Sequence, residues 1–442
     1  MIAFSACSPE PQDFMADSSN KTFRDVIRHF SPAWFTVNMS TGILSILFHD
    51  FPYGAESKGM RIATLAFFLL NLCLYILFTV LSVVRFIMFP ELWGILCRHP
   101  VERLFICAFP TGAITLLAIA VSLIHEDYSL GDKPFLYVIW AFWWLDVAGS
   151  VLCFFGTLHG MMIAHKHPTM QTMTSAWLLP VISLIVTSSG GAVLSSSLYR
   201  YSLNHALVTA AFSIYLVSIG LSVNLMILTV YLLRLIVRGL PSGTGIYSIF
   251  LPLGPTGRAG YTILLLGQFF RAVLPLPYGS SELLTAVTTG ESVSVMCTTL
   301  ALALWSLESM WLFFAILGMY TVLRQTRVPF KLEIWGIIFP NGVYANLTLS
   351  LAKTLDSPFF RVWGSIYAVA TLIMWCTVAT RTLALVYTKQ IFEAPSLVTA
   401  VEGKPESELV SERMFMDAAT STEPSQHFLR SETLTLDDGE DF

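Results

Sequence analysis

From residue 62 to 84 the chain reads IATLAFFLLNLCLYILFTVLSVV, 23 residues without one charged side chain. A run of that length crosses the hydrocarbon of a bilayer as a helix, for which about 20 residues suffice. Comparable runs lie at about 31–48, 104–124, 135–158, 176–198, 206–233, 246–269, 293–323, 334–352 and 361–387, which makes ten spans in all. Lipid offers the backbone no hydrogen-bond partner and alternating barrel strands are absent, so the spans are expected to be helices. Composition agrees: 55% of residues are hydrophobic and 12% charged, with a mean hydropathy of +0.68. The sequence therefore predicts an all-α integral membrane protein, with no cleaved signal peptide ahead of the first span.

Lys and Arg in the short connections set the orientation. One side carries Lys21, Arg24, Arg28, Arg85, Arg98, Arg103, Lys166, Arg234, Arg238, Arg324, Arg327 and Lys331. The other carries Lys58, Arg61, Lys133, Arg200, Arg271, Lys353 and Arg361. Twelve against seven predicts both termini in the cytoplasm. Residues 1–30 then form a cytoplasmic segment, 31–390 the ten-helix domain, and 391–442 an acidic, Ser/Thr-rich tail expected to be disordered.

Proline divides the spans as bounded above. Pro32, Pro110, Pro180, Pro255 and Pro340 fall one in each odd-numbered span, and the even spans have none. The ninth span is the sharpest case, because Pro340, Asn341 and Gly342 stand together in EIWGIIFPNGVYANLTLSLA. A proline frees the carbonyl four residues earlier, and at membrane depth that group needs protein or a wet cavity around it. Kinked odd helices are therefore expected inside, around a polar path, with the even helices facing lipid. Five helical hairpins in a ring satisfy that requirement. The odd spans also carry Asn38, Thr41, Thr111, Ser188, Ser189, Thr256, Arg258, Asn341 and Asn346. Their hydroxyls, amides and single cation can replace water around an anion, and no carboxylate ring of a cation pore accompanies them. Small and hydroxylated residues also let helices pack closely in lipid, a competing reading for each of them singly.

Other motifs exclude function classes. Seven cysteines occur singly without C-x-x-C, and neither a P-loop nor a dinucleotide-binding glycine pattern is present. His159, His165 and His167 cluster in LHGMMIAHKHP without a Cys or carboxylate to complete a ligand set. No metal, cofactor, enzymatic activity or nucleic-acid partner is expected, and transport would be passive or ion-driven. The sequons at Asn20, Asn38 and Asn346 are not expected to carry glycans.

The runs FSPAWFTVNMSTGILSILFHDFPY, LYVIWAFWWLD, LPLGPTGRAGYTILLLGQ and WGIIFPNGVYAN resemble the fungal sulfite efflux pumps of the tellurite-resistance/dicarboxylate transporter family. That family also holds malate permeases and slow anion channels. The resemblance spans about Phe30 to Val386. It implies five helical hairpins with a central pore, a homotrimer with one pore per subunit, and a gate at Phe339, the phenylalanine of the ninth helix. It implies plasma-membrane export of sulfite or bisulfite, with a dicarboxylate permease or a broader small-anion channel as the alternative.

Three charges near mid-span are left to assign. Arg258 either attracts anions into the path or neutralises a buried carboxylate, Asp146 or Glu308. Asp146 and Glu308 each admit an ion-pair or packing role, or a role in proton coupling.

Overall fold

The computed structural model describes residues 22–54, 57–99, 101–163, 173–241, 243–276, 281–325 and 328–391. The chain divides into two units, Met1–Ala394 and Pro395–Phe442. The second lies outside the described residues, as do His165, His167 and residues 1–21. The expected disordered tail is thus described only at Ile391.

Among the described residues all regular structure is helical. The principal helices are α1 (Phe35–His49), α2 (Lys58–Met88), α3 (Ala108–Ala120), α4 (Asp132–Met162) and α5 (Leu179–Leu198). They continue with α6 (Leu203–Arg238), α7 (Leu253–Val273), α8 (Thr289–Gln325), α9 (Trp335–Leu355) and α10 (Pro358–Tyr387). Capping fixes several starts: the Ser57 hydroxyl accepts from Met60 N at 3.3 Å before α2, and Ser202 does the same for His205 N at 3.4 Å before α6. Each odd helix is entered through a 3-10 turn, namely Pro32–Trp34, Glu102–Cys107, Ser175–Leu178, Gly243–Phe250 and Leu332–Ile334. Helix α3 leaves through a π turn, Val121–Asp127.

Seven of these helices, counted with their flanking turns, are long and apolar enough to cross a membrane: α2, α3, α4, α5, α6, α8 and α10. This is a multi-pass membrane protein. The expectation of ten spans meets that standard in seven. The other three, α1, α7 and α9, hold Asn38, Arg258 and Asn346, and their polarity has a physical reason. Most of their residues are buried in protein, where a polar side chain meets partners and not lipid.

Each odd helix packs along the even helix that follows it. Among the odd helices, α1 touches α3, α3 touches α5, α5 touches α7, α7 touches α9, and α9 touches α1. Burial separates the two sets. In α5, 94% of the most apolar stretch is buried, against 17% in α2 and in α10. The even helices turn bare aliphatic side chains outward, such as Ile76 and Ile87 on α2, Leu152 on α4 and Ile236 on α6. Such apolar surface suits a hydrocarbon solvent.

Proline does not mark the same division. Pro340 stands inside α9. Pro32, in contrast, lies in the 3-10 turn before α1, and Pro110, Pro180 and Pro255 lie in the first turns of α3, α5 and α7. First-turn amides have no α-helical partner, so proline at the change from 3-10 to α-helix breaks no bond of the α-helix itself. The expected kinks at those four positions are thus replaced by helix entries. The even helices begin earlier than expected and also carry first-turn prolines, Pro134 in α4 and Pro358 in α10.

Candidate functional site

The Pro-Asn-Gly triplet of α9 resolves into three separate jobs. Pro340 has no amide hydrogen for Gly336 O, and both residues line a cavity of about 220 Å3. Asn341 Nδ2 donates to Ile337 O at 2.7 Å, while its Oδ1 accepts from the Tyr367 hydroxyl of α10 at 2.9 Å. Gly342 admits the Ile43 side chain of α1: a Cβ at 342 would lie 2.7 Å from Ile43 Cγ2. The helix thus loses one backbone bond at Pro340, adds a side-chain amide to the Ile337 carbonyl, and gains a close approach to its neighbour.

The larger cavity opens among the N-terminal ends of the odd helices and their entry turns. Thr36 and Met39 of α1, Ile182 of α5, Leu251 and Phe339 are among the residues that line it. Phe339 is 2% exposed. A smaller cavity of about 30 Å3, room for a water or two, lies toward the C-terminal ends of α1, α3 and α5, against the N-terminal half of α7. It is lined by Ile46 and Asp50 at the end of α1, Ser122, Val193, Arg258 and Tyr261, among others. On α1 the two cavities are separated by the rise from Met39 to Ile46, about 10 Å of helix. Ile43 fills that interval against Gly342.

Arg258 occupies the base of the smaller cavity and is 1% exposed. Its Nε donates to Ser189 Oγ of α5 at 2.8 Å, and Nη1 donates to Asn346 Oδ1 of α9 at 3.2 Å. The guanidinium carbon lies 4.8 Å from the centroid of the Tyr261 ring, close enough for cation–π attraction. Among the described residues no hydrogen bond reaches Nη2 and no carboxylate forms an ion pair with Arg258. Burying a cation without a carboxylate in direct contact is costly.

The carboxylates weighed as its partners lie elsewhere. Asp146 of α4 accepts from the Thr187 hydroxyl of α5 at 2.6 Å, and Ser150 joins Thr187 at 2.8 Å. Glu308 of α8 is wholly buried and points at the bare Cα of Gly257. Neither of its oxygens has a hydrogen-bond partner among the described residues.

Of the residues read from the sequence as facing an anion, the structure brings together Arg258, Ser189 and Asn346. Ser189 spends its own hydroxyl hydrogen on Val186 O at 2.6 Å, and the other residues are engaged by neighbouring helices or their own backbone. Asn38 donates to the backbone and side-chain oxygens of Asn71 on α2, both at 3.2 Å. Thr41 accepts from Trp375 Nε1 of α10 at 3.2 Å, and Thr256 accepts from Asn224 Nδ2 of α6 at 3.1 Å. Thr111 and Ser188 donate to Cys107 O and Ile185 O, each at 2.8 Å.

Sequence reasoning passed over the residues that complete the cluster. Asp50 Oδ2 accepts from Asn346 Nδ2 at 3.0 Å. His49 Nδ1 lies 2.9 Å from Asp50 Oδ1, and Nε2 lies 3.3 Å from Asp127 Oδ2 in the turn after α3. Tyr261 stacks on Arg258 one turn away. The signal available was the pair His49-Asp50 closing the first apolar run, a titratable dipeptide at a helix end.

The family of voltage-dependent anion channels (SLAC1) matches residues 29–383. A sulfite efflux pump, SSU1, of Trichophyton rubrum is 30% identical over 368 residues, covering 83% of this chain and 93% of the relative. The SSU1 sulfite efflux pump of Candida albicans is 26% identical, covering 79% of this chain and 73% of its own length. A malic acid transport protein of Schizosaccharomyces pombe is 24% identical, with 79% and 76% covered. With the family model matching from residue 29 to 383, the chain belongs to the voltage-dependent anion channel (SLAC1) family.

Proposed function

We propose that this protein exports sulfite or bisulfite from the cytosol through a path between its odd helices. The observation that carries the reading is Arg258, buried, free of any ion pair among the described residues, and open into a cavity. One such cation with hydroxyl and amide neighbours attracts a small oxyanion while leaving it free to depart, which conduction requires. An inside-negative membrane potential supplies about 2.3 kcal/mol per charge per 100 mV toward the outside. Export then needs neither nucleotide nor enzymatic chemistry.

In this reading all ten principal helices cross the bilayer, as five hairpins in a ring. The sequential contacts of α1, α3, α5, α7, α9 and again α1 support that arrangement. Phe339, at the boundary of the larger cavity, is the gate. Both termini are cytoplasmic, the protein resides in the plasma membrane, and it assembles as a homotrimer. Residues 1–30 and 391–442 flank the transport domain on the cytoplasmic side.

Relatives named as sulfite pumps at 30% identity favour sulfite over malate, the substrate of relatives at 24%. A dicarboxylate with two separated charges is better served by two free cations; among the described residues Arg258 is the one arginine lining the smaller cavity, and His49, which also lines it, is held by Asp50 and Asp127. Flux of sulfite, malate, nitrate and chloride through liposomes containing only this protein tests the assignment. Sulfite flux well above the others is expected. Malate flux equal to or above it would transfer the protein to the dicarboxylate permeases.

A further inference from the structure

Asn346 is a two-ended amide held at both ends. Its Nδ2 donates to Asp50 Oδ2 at 3.0 Å, and its Oδ1 accepts from Arg258 Nη1 at 3.2 Å. The guanidinium only donates and the carboxylate only accepts, so both partners turn the amide the same way, and both bonds are of the stronger, charge-assisted kind. With the carbonyl end turned inward, Asn346 occupies one guanidinium donor and offers none of its own. Asp50 also lines the cavity that Arg258 faces. The carboxylate and the guanidinium, one amide apart, lie within a Debye length, about 10 Å in 0.1 M salt. Its own position is fixed in turn by His49, whose ring nitrogens face Asp50 and Asp127.

An anion reaching Arg258 therefore meets a resident negative charge and a donor already in use. Both weaken binding. We propose that Asp50 is a positioning residue for the Arg258 site: its carboxylate, tied to Asn346 and His49, stands beside the guanidinium and keeps anion affinity low, so that substrate leaves toward the end of α1. This inference rests on the reading of Arg258 as the anion site. It accounts for a carboxylate placed where an anion path otherwise has no use for one.

The test is the concentration dependence of initial sulfite flux, with the full chain purified into liposomes. Asp50→Asn is expected to lower the half-saturating sulfite concentration about three- to tenfold, the size of losing one partly screened charge at this range. Maximal flux falls as release slows. Asp50→Glu, which keeps the charge, stays near the parent value. In an Arg258→Gln background Asp50→Asn is expected to have no effect on half-saturation, because the two act through one site. An unchanged or raised half-saturation in Asp50→Asn, or the same shift without Arg258, overturns the proposal. Should Asp50→Asn fail to fold, Asn346→Leu cuts the tie with the carboxylate still present. It too is expected to lower half-saturation, and a rise would contradict the inference. Arg258→Gln alone separates the two levels. No change in that variant defeats the site itself, whereas a change there with silence at Asp50 defeats only the positioning role.

Discussion

Thr187 of α5 donates its hydroxyl to Asp146 of α4 across 2.6 Å, and with Ser150 and Trp143 of α4 also on Thr187 an inner helix is fastened to an outer one at one residue. The same device recurs where Asn224 of α6 reaches Thr256 of α7, Trp375 of α10 reaches Thr41 of α1, and Tyr367 of α10 reaches Asn341 of α9. Lipid gives helices no hydrophobic reason to associate, so close packing and interhelical hydrogen bonds supply the attachment. Much of the polarity in the odd helices serves that purpose.

Asp146→Ala tests the fastening directly. Interhelical hydrogen bonds in membranes average about 0.6 kcal/mol, so a thermal melt in detergent should shift down slightly. Sulfite flux per folded molecule should hold, with its response to an imposed proton gradient unaltered. A flux that loses its pH dependence in this variant would instead make Asp146 a proton carrier.

Phe339→Ala removes a ring from the boundary of the larger cavity. As the gate, its loss should raise anion conductance several-fold in patch-clamped membranes. Conductance equal to or below that of the parent would assign Phe339 to packing alone.

The approach of Ile43 to Gly342 leaves no room for a Cβ. Gly342→Ala should destabilise the protein by about 1–3 kcal/mol, the usual cost of overpacking. Ile43→Ala should recover part of that loss when combined with it, and strictly additive melting shifts would show that the two residues do not meet.

Orientation is open to labelling. A cysteine in place of Arg200, between α5 and α6, should react in intact cells with a membrane-impermeant maleimide. One in place of Arg324, at the end of α8, should react only after permeabilisation. The reverse pattern would invert the topology.

Helix content and the inside-to-outside division were legible in the sequence, because charge-free runs longer than a bilayer thickness leave the backbone no other form. The division was read from the wrong residue. Proline at Pro110, Pro180 and Pro255 marks where helices begin, and Pro134 and Pro358 do the same in the outer set. Only Pro340 carries the interior break that the argument required. The site was legible in part. Arg258 stood out because a lone arginine in an apolar span demands an explanation, and Ser189 and Asn346 lay in neighbouring odd spans. Thr41, Thr256 and Asn341 looked identical in kind, yet they meet outer-helix partners, and helix rotation decides that outcome. Asp50 and His49 were hidden by position: at the end of a run they read as ordinary interfacial polarity.

The most direct measurement is voltage-driven sulfite efflux from liposomes loaded with sulfite and containing only this protein, comparing the parent chain with Arg258→Gln. The account predicts efflux that grows with an inside-negative potential in the parent, and a much higher half-saturating concentration in the variant. Efflux identical in the two proteins, or absent from the parent at every voltage, would contradict it.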